Sequence, residues 1–174
     1  SYGGWKSNDV RPLGALYWPD GAIVTRRKEF PVLLELTEGT VVASPSNAWT
    51  HGEATAPVID SGKFVWLATS KSELLAIDQK LTTVVSTIRL PSSYATAMAY
   101  ENNNLYVLTA NKEIFAYDLT TNTQKWNIKV SGNGVDSMVC ENGLLYANAG
   151  SFYVINGKDG VITVEEAKGT DTYV

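Results

Sequence analysis

The chain has 174 residues, 44% of them apolar and 18% charged, a composition that fits one core-forming globular domain. No run approaches the roughly 20 apolar residues of a membrane-spanning helix, and a net charge of −4 gives no global attraction to nucleic acid or an anionic membrane surface. The single cysteine, Cys140, excludes an internal disulfide framework and suits a small hydrophobe within a strand.

A pattern of about 40 residues repeats four times along the chain. The first copy, residues 13–53, opens with a strand of small and apolar residues over 13–18, turns at Pro19-Asp20-Gly21, and continues in a second strand at Ala22-Ile23-Val24. A loop with Arg26, Arg27 and Lys28 leads to a third strand at Leu33-Leu34; Glu35, Gly39 and Ala43 follow, then a loop holding Trp49 and His51. The second copy, 54–94, runs through a strand at 54–59, the turn Asp60-Ser61-Gly62, Phe64-Val65-Trp66, Lys71 and Leu75-Ala76-Ile77. Asp78, Thr82 and Ser86 complete it before Arg89 and Tyr94.

The third copy, 95–134, has a strand at 95–100, the turn Glu101-Asn102-Asn103-Asn104, Leu105-Tyr106-Val107, Lys112 and Phe115-Ala116-Tyr117, then Asp118, Asn122 and Trp126. The fourth, 135–169, has a strand at 135–140, Glu141-Asn142-Gly143, Leu144-Leu145-Tyr146 and Tyr153-Val154-Ile155, then Asn156, Gly160 and Val164. Residues 170–174 read as one more innermost strand. The Asn and Gly turns tolerate positive φ and close antiparallel hairpins.

Short strands with tight turns at this period predict an all-β chain of four-stranded antiparallel blades, a β-propeller, forming one domain over 1–174 or part of a larger one. One blade leaves both faces of its sheet open, so blades must lean on one another to bury apolar surface. Two arrangements fit: a four-bladed unit with overlapping ends, or about half of a seven- or eight-bladed ring. The period favours the second, with open blade edges that meet the remaining blades or another subunit.

The segment Ile114-Phe115-Ala116-Tyr117-Asp118-Leu119-Thr120-Thr121-Asn122-Thr123-Gln124-Lys125-Trp126 resembles the pyrroloquinoline-quinone-like, or quinoprotein-like, propeller repeat. The resemblance implies that Trp126 packs between neighbouring blades near the turn that follows the Asp. The other copies carry Ala43, Ser86 and Val164 at the Trp position, and the Gly-His and Trp-Asp pairs of the WD family are absent.

Chemistry has few supports in these residues. One His and one Cys, without clustered acids at ligand spacing, predict no metal site, and Asp20, Asp60, Glu101 and Glu141 read as turn formers at equivalent positions. His51 lies in no nucleophile-elbow motif, and Ser131-Gly132-Asn133-Gly134 joins strands rather than opening a phosphate-binding helix. No catalytic residue and no cofactor is expected.

In a propeller, the loops at 25–31, 69–73, 109–113 and 148–151 share a face with those at 44–53, 89–94, 130–134 and 166–169. Arg26, Arg27, Lys28, Trp49, His51, Lys71, Arg89, Tyr94 and Lys112 fall there, a basic and aromatic rim on an acidic protein. The expected function is a non-enzymatic scaffold that binds a protein or an acidic peptide through this face. Three adjacent cations are too few for strong nucleic-acid binding. The alternatives are a fragment of a quinoprotein-like or hydrolytic propeller enzyme, or a structural subunit of a large assembly such as a virion.

Overall fold

The computed structural model describes residues 51–167, Ile23, and the backbone of four strands between residues 12 and 43. Every regular element among them is a strand. The first sheet consists of β1 (Pro12–Trp18), β2 (Gly21–Arg26), β3 (Val32–Leu34) and β4 (Val41–Ala43); the second of β5 (Ile59–Asp60), β6 (Val65–Ala68), β7 (Glu73–Ile77) and β8 (Val84–Arg89). The third holds β9 (Ala95–Glu101), β10 (Asn104–Thr109), β11 (Glu113–Asp118) and β12 (Thr123–Lys129). The fourth holds β13 (Ser137–Glu141), β14 (Leu144–Asn148), β15 (Ser151–Asn156) and β16 (Ile162–Ala167). Each is an antiparallel meander in chain order, the blade predicted from the repeat. The expected strand at 170–174 and the turn residues Pro19 and Asp20 lie outside the described residues.

The chain divides into two units, Ser1–Tyr94 and Ala95–Val174. In the first, Ile23 meets a buried cluster of the second sheet that includes Val65, Leu67, Leu75, Ile77 and Leu81. In the second, one face of the third sheet packs on one face of the fourth. Ala99, Tyr106, Ala116 and Trp126 lie in the same cluster as Met138, Leu145, Tyr153 and Ile155.

Local chemistry explains the turns. Asn102 and Asn103 have φ of 49° and 64°, and Asn142 and Gly143 have 52° and 79°, the paired left-handed geometry that matches strand twist in a two-residue hairpin. At the turn between the third and fourth strands, Asn122 (φ 54°) and Gly160 (φ 78°) are left-handed as their types suggest. In the second sheet that conformation falls on Leu81 (φ 59°) rather than Thr82. The Leu81 side chain is fully buried, and its packing offsets the backbone cost.

Two strand predictions need correction. The innermost strand expected at 54–59 is a ladder only at Ile59–Asp60, with Ala54 bridging Thr69 alone. Pro57 lies between them and has no N–H to donate to a ladder. The strand expected at 135–140 starts at Ser137, and Val135 lies exposed before it.

Asp78 holds the turn after β7 together. Its Oδ1 accepts the Thr82 backbone N–H at 2.7 Å, and its Oδ2 accepts the Thr82 hydroxyl at 2.6 Å. Burial raises the Asp78 pKa, but hydrogen bonds from Thr82, Thr83 and Lys80 outweigh it and hold the carboxyl below its ordinary value of 3.8. A depressed folded pKa means that this stabilisation is complete above about pH 4 and is lost as pH falls through the lower folded value. Asp78→Asn is therefore expected to lower the thermal midpoint at neutral pH, with a gap from wild type that closes on acidification. A gap that stays constant from pH 7 to pH 2 would show that ionised Asp78 is not what holds the turn.

Candidate functional site

The hairpin between β6 and β7 is built around a buried carboxylate. Thr69 accepts the Ser72 N–H at 3.0 Å through its carbonyl, and Ser72 closes the turn at φ 59°. The strand register sets Glu73 opposite Arg89, so the two side chains emerge side by side. Glu73 is 4% exposed, and burying its charge requires partners. They are present: Arg89 donates to Oε2 at 3.2 Å, the Thr69 hydroxyl to Oε1 at 3.3 Å, and His51 Nδ1 lies 3.3 Å from Oε1.

The His51 segment is fastened to this hairpin through its own backbone. Ser70 N–H donates to the Glu53 carbonyl at 2.8 Å, and Glu53 N–H donates to the Ser70 hydroxyl at 3.0 Å. Gly52 permits the approach, because a Cβ there would stand 2.2 Å from Ser70 Oγ and 2.9 Å from the Lys71 nitrogen. The structure thus gathers His51, Lys71 and Arg89 at one end of the second sheet. Arg89 keeps its guanidinium outward, 76% exposed, and Tyr94 is 42% exposed.

The third sheet repeats the arrangement. Glu113 is 8% exposed and accepts Lys129 Nζ at 3.2 Å and Asn127 Nδ2 at 2.7 Å, while Thr109 Oγ1 donates to its carbonyl at 3.1 Å. Lys112, a predicted rim residue, has φ 62°, and its ammonium is held by the Asp136 carboxylate. Asp136 also accepts the Thr96 hydroxyl at 2.6 Å, so Lys112 ties the third sheet to the start of the fourth. Arg27, Lys28 and Trp49 lie outside the described residues, and of Arg26 the structure gives the backbone in β2.

The turn and strand pattern of the repeat does not reveal the buried Glu pairs, although the sequence carries a signal for them. Thr and Glu stand four residues apart in both copies, and the cation follows the Glu by 16 in both. Nor are Asp60, Glu101 and Glu141, the turn acids among the described residues, equivalent. The register puts Glu101 opposite Asn104 and Glu141 opposite Leu144, but Asp60 opposite Val65, one step earlier in its hairpin. Asp60 accepts the Gly62 N–H at 2.7 Å within its own turn, whereas Glu101 reaches the next blade and accepts Asn142 and Gly143 N–H at 2.7 Å each.

At that end of the Ala95–Val174 unit lies a cleft of about 400 Å³, lined by Glu101, Tyr106, Lys125, Asn142, Asn156 and Lys158 among others. Its chemistry is subdued. Burial, together with Cys140 and Glu101, pushes the Tyr106 hydroxyl up to about 12, and burial with the Glu101 charge pushes the Cys140 thiol up to about 11. Neither group ionises near neutral pH, so neither supplies a nucleophile there. Lys125 Nζ donates to Asn104 Oδ1 at 3.0 Å, and Glu101 is committed to the neighbouring turn.

Residues 60–173 match the model of a PQQ-like repeat family described as outer membrane protein assembly factor BamB. A comparison with curated proteins finds no match. Among solved structures, BamB from Moraxella catarrhalis is similar with a TM-score of 0.69 at 18% identity, covering 89% of this chain and 48% of that one. The computationally designed Ika8 protein gives 0.72 at 12% identity, with 91% and 50% coverage. Apo AztD from Citrobacter koseri gives 0.64 at 13%, with 92% and 48%. The chain therefore spans about half the length of each, and at these identities the likeness shows the propeller fold. Among the described residues, no helix is long and apolar enough to cross a membrane.

Proposed function

The chain belongs to the PQQ-like propeller-repeat family described by outer membrane protein assembly factor BamB, and from that premise we propose that it is a non-enzymatic scaffold that binds an acidic protein segment at the loop end of its second blade. The observation that carries this reading is the cluster at the β6–β7 hairpin. Arg89 has five N–H donors, commits one nitrogen to Glu73, and remains 76% exposed. Lys71 is exposed on the same hairpin, His51 sits on Glu73, and Tyr94 adds an exposed aromatic surface.

Glu73 gives the cluster its rigidity. A buried carboxylate that holds Arg89 and His51 lowers the entropic cost of fixing long side chains against a ligand. Carboxylates on a partner would find an Arg fork already oriented, the geometry that favours charge-assisted pairing. The family description adds a protein-assembly context in BamB itself. Neither the Tyr106 hydroxyl nor the Cys140 thiol offers an activated nucleophile, which suits a binding role.

Fluorescence anisotropy with a labelled oligo-glutamate peptide tests the reading. Binding should weaken as salt rises, and the double substitution Lys71→Glu with Arg89→Glu should reduce affinity at least about tenfold. Equal affinity in the variant and wild type would remove the second-blade site.

A further inference from the structure

Where asparagine precedes glycine, the glycine nitrogen closes on the side-chain amide with little hindrance, because no Cβ stands in the way. The chain carries three such pairs, Asn133-Gly134, Asn142-Gly143 and Asn156-Gly157. Hydrogen bonds hold two of them. In the β13–β14 hairpin the Asn142 and Gly143 N–H groups each donate to the Glu101 carboxylate at 2.7 Å, which fixes the attacking nitrogen and opposes loss of its proton beside a negative charge. After β15 the Asn156 side-chain oxygen accepts the Lys158 N–H at 2.9 Å, and the buried Gly157 donates its N–H to the Gly143 carbonyl at 2.9 Å.

Asn133-Gly134 lies in the link from β12 to β13, which joins the third blade to the fourth. Both ends of this link are pinned. The Ser131 N–H donates to the Tyr153 hydroxyl at 2.8 Å, and Asp136 accepts the Thr96 hydroxyl at 2.6 Å and holds the Lys112 ammonium. Between them the backbone lies against the β14–β15 hairpin: a Cβ at Gly132 would stand 2.3 Å from the Ser151 nitrogen, and one at Gly150 2.2 Å from the Asn133 nitrogen. Asn133 and Gly134 are themselves exposed, and among the described residues none hydrogen-bonds to the Asn133 amide or the Gly134 N–H. The two reacting groups are therefore solvated and free to turn toward each other.

We propose that Asn133 is a site of spontaneous deamidation, and that its isoaspartyl product loosens the link from the Gly150 hairpin. Hydroxide removes the Gly134 amide proton, and the nitrogen attacks the Asn133 side-chain carbonyl carbon. A C–N bond forms, the side-chain amide leaves as ammonia by taking a proton from water, and a succinimide ring remains. Water then adds to one of the two ring carbonyls and breaks its C–N bond, with no change of oxidation state. Opening at one carbonyl gives aspartate; opening at the other gives isoaspartate, whose main chain runs through an extra methylene carbon. Both products carry the same charge. The added atom is what separates them at Gly150, where the backbones approach too closely for even a Cβ.

Peptide mapping by mass spectrometry, on the whole chain kept at mildly alkaline pH, measures the conversion of each asparagine. In the folded chain Asn133 should convert at least about tenfold faster than Asn142 and Asn156, and in urea the three rates should converge. Glu101→Ala, with folding checked by circular dichroism, should raise conversion at Asn142 and leave Asn133 unchanged. Equal rates in the folded chain, or the same disparity in urea, would overturn the site. The deamidated fraction, isolated by ion exchange, should melt below the equally charged Asn133→Asp chain. Identical melting of the two would refute the loosening at Gly150.

Discussion

Trp126→Ala should destabilise the Ala95–Val174 unit by about 3–5 kcal/mol, the range for deleting a buried large aromatic. Two contacts and near-complete burial hold this side chain. Its indole N–H donates to the Gly157 carbonyl at 2.9 Å, its ring lies 5.9 Å from that of Tyr106 at 36°, and its exposure is 9%. The fourth blade's turn thus supplies a hydrogen-bond acceptor to the third blade, and apolar packing and polar satisfaction act on one residue. Trp126→Phe separates them. It keeps most of the ring area but loses the donor, and Gly157 still accepts the Tyr106 hydroxyl at 3.3 Å, so a cost of about 1–2 kcal/mol is expected. Urea unfolding of the full chain by far-UV circular dichroism measures both. An alanine variant within about 1 kcal/mol of wild type would mean that the ring is not a structural link between the two blades.

How much of this was readable in advance depends on whether a residue's role is local. The Asn102-Asn103 and Asn142-Gly143 hairpins follow from side-chain chemistry that accepts positive φ, so the sequence pattern locates them. Leu81 defeats the same reasoning: a bulky residue takes the left-handed conformation because its side chain is needed in the core below. The role of Trp126 was accessible only through the family resemblance, since nothing adjacent in sequence shows that Gly157 faces it. The basic and aromatic rim rests on loop positions alone. Loop positions set nine residues on one face, but they do not reveal Glu73, whose burial depends on cross-strand register, or the capture of Lys112 by Asp136. Charge counts identify cations; they do not show which are already engaged.

Gly160 offers a sharper test of the same blade junction, because two other glycines isolate its backbone contribution. Gly160, Gly62 and Gly143 all have left-handed φ, at 78°, 85° and 79°, so a Cβ at any of them carries a strain of about 1–2 kcal/mol. Only Gly160 adds a collision. Its Cβ would stand 2.7 Å from Trp126 Cδ2 and 2.8 Å from Cε3, whereas nothing lies within 4 Å at Gly62 or Gly143. Forcing the indole aside strains a packed interface by about 1–3 kcal/mol more. Gly160→Ala should therefore cost about 2–5 kcal/mol, and Gly62→Ala and Gly143→Ala about 1–2 each. In a Trp126→Ala background the collision has no partner, so Gly160→Ala should fall to the level of the other two, a coupling of about 1–3 kcal/mol. Additive costs for Trp126→Ala and Gly160→Ala would place the ring away from this turn, since a side chain that does not touch Gly160 cannot change what a methyl group there costs.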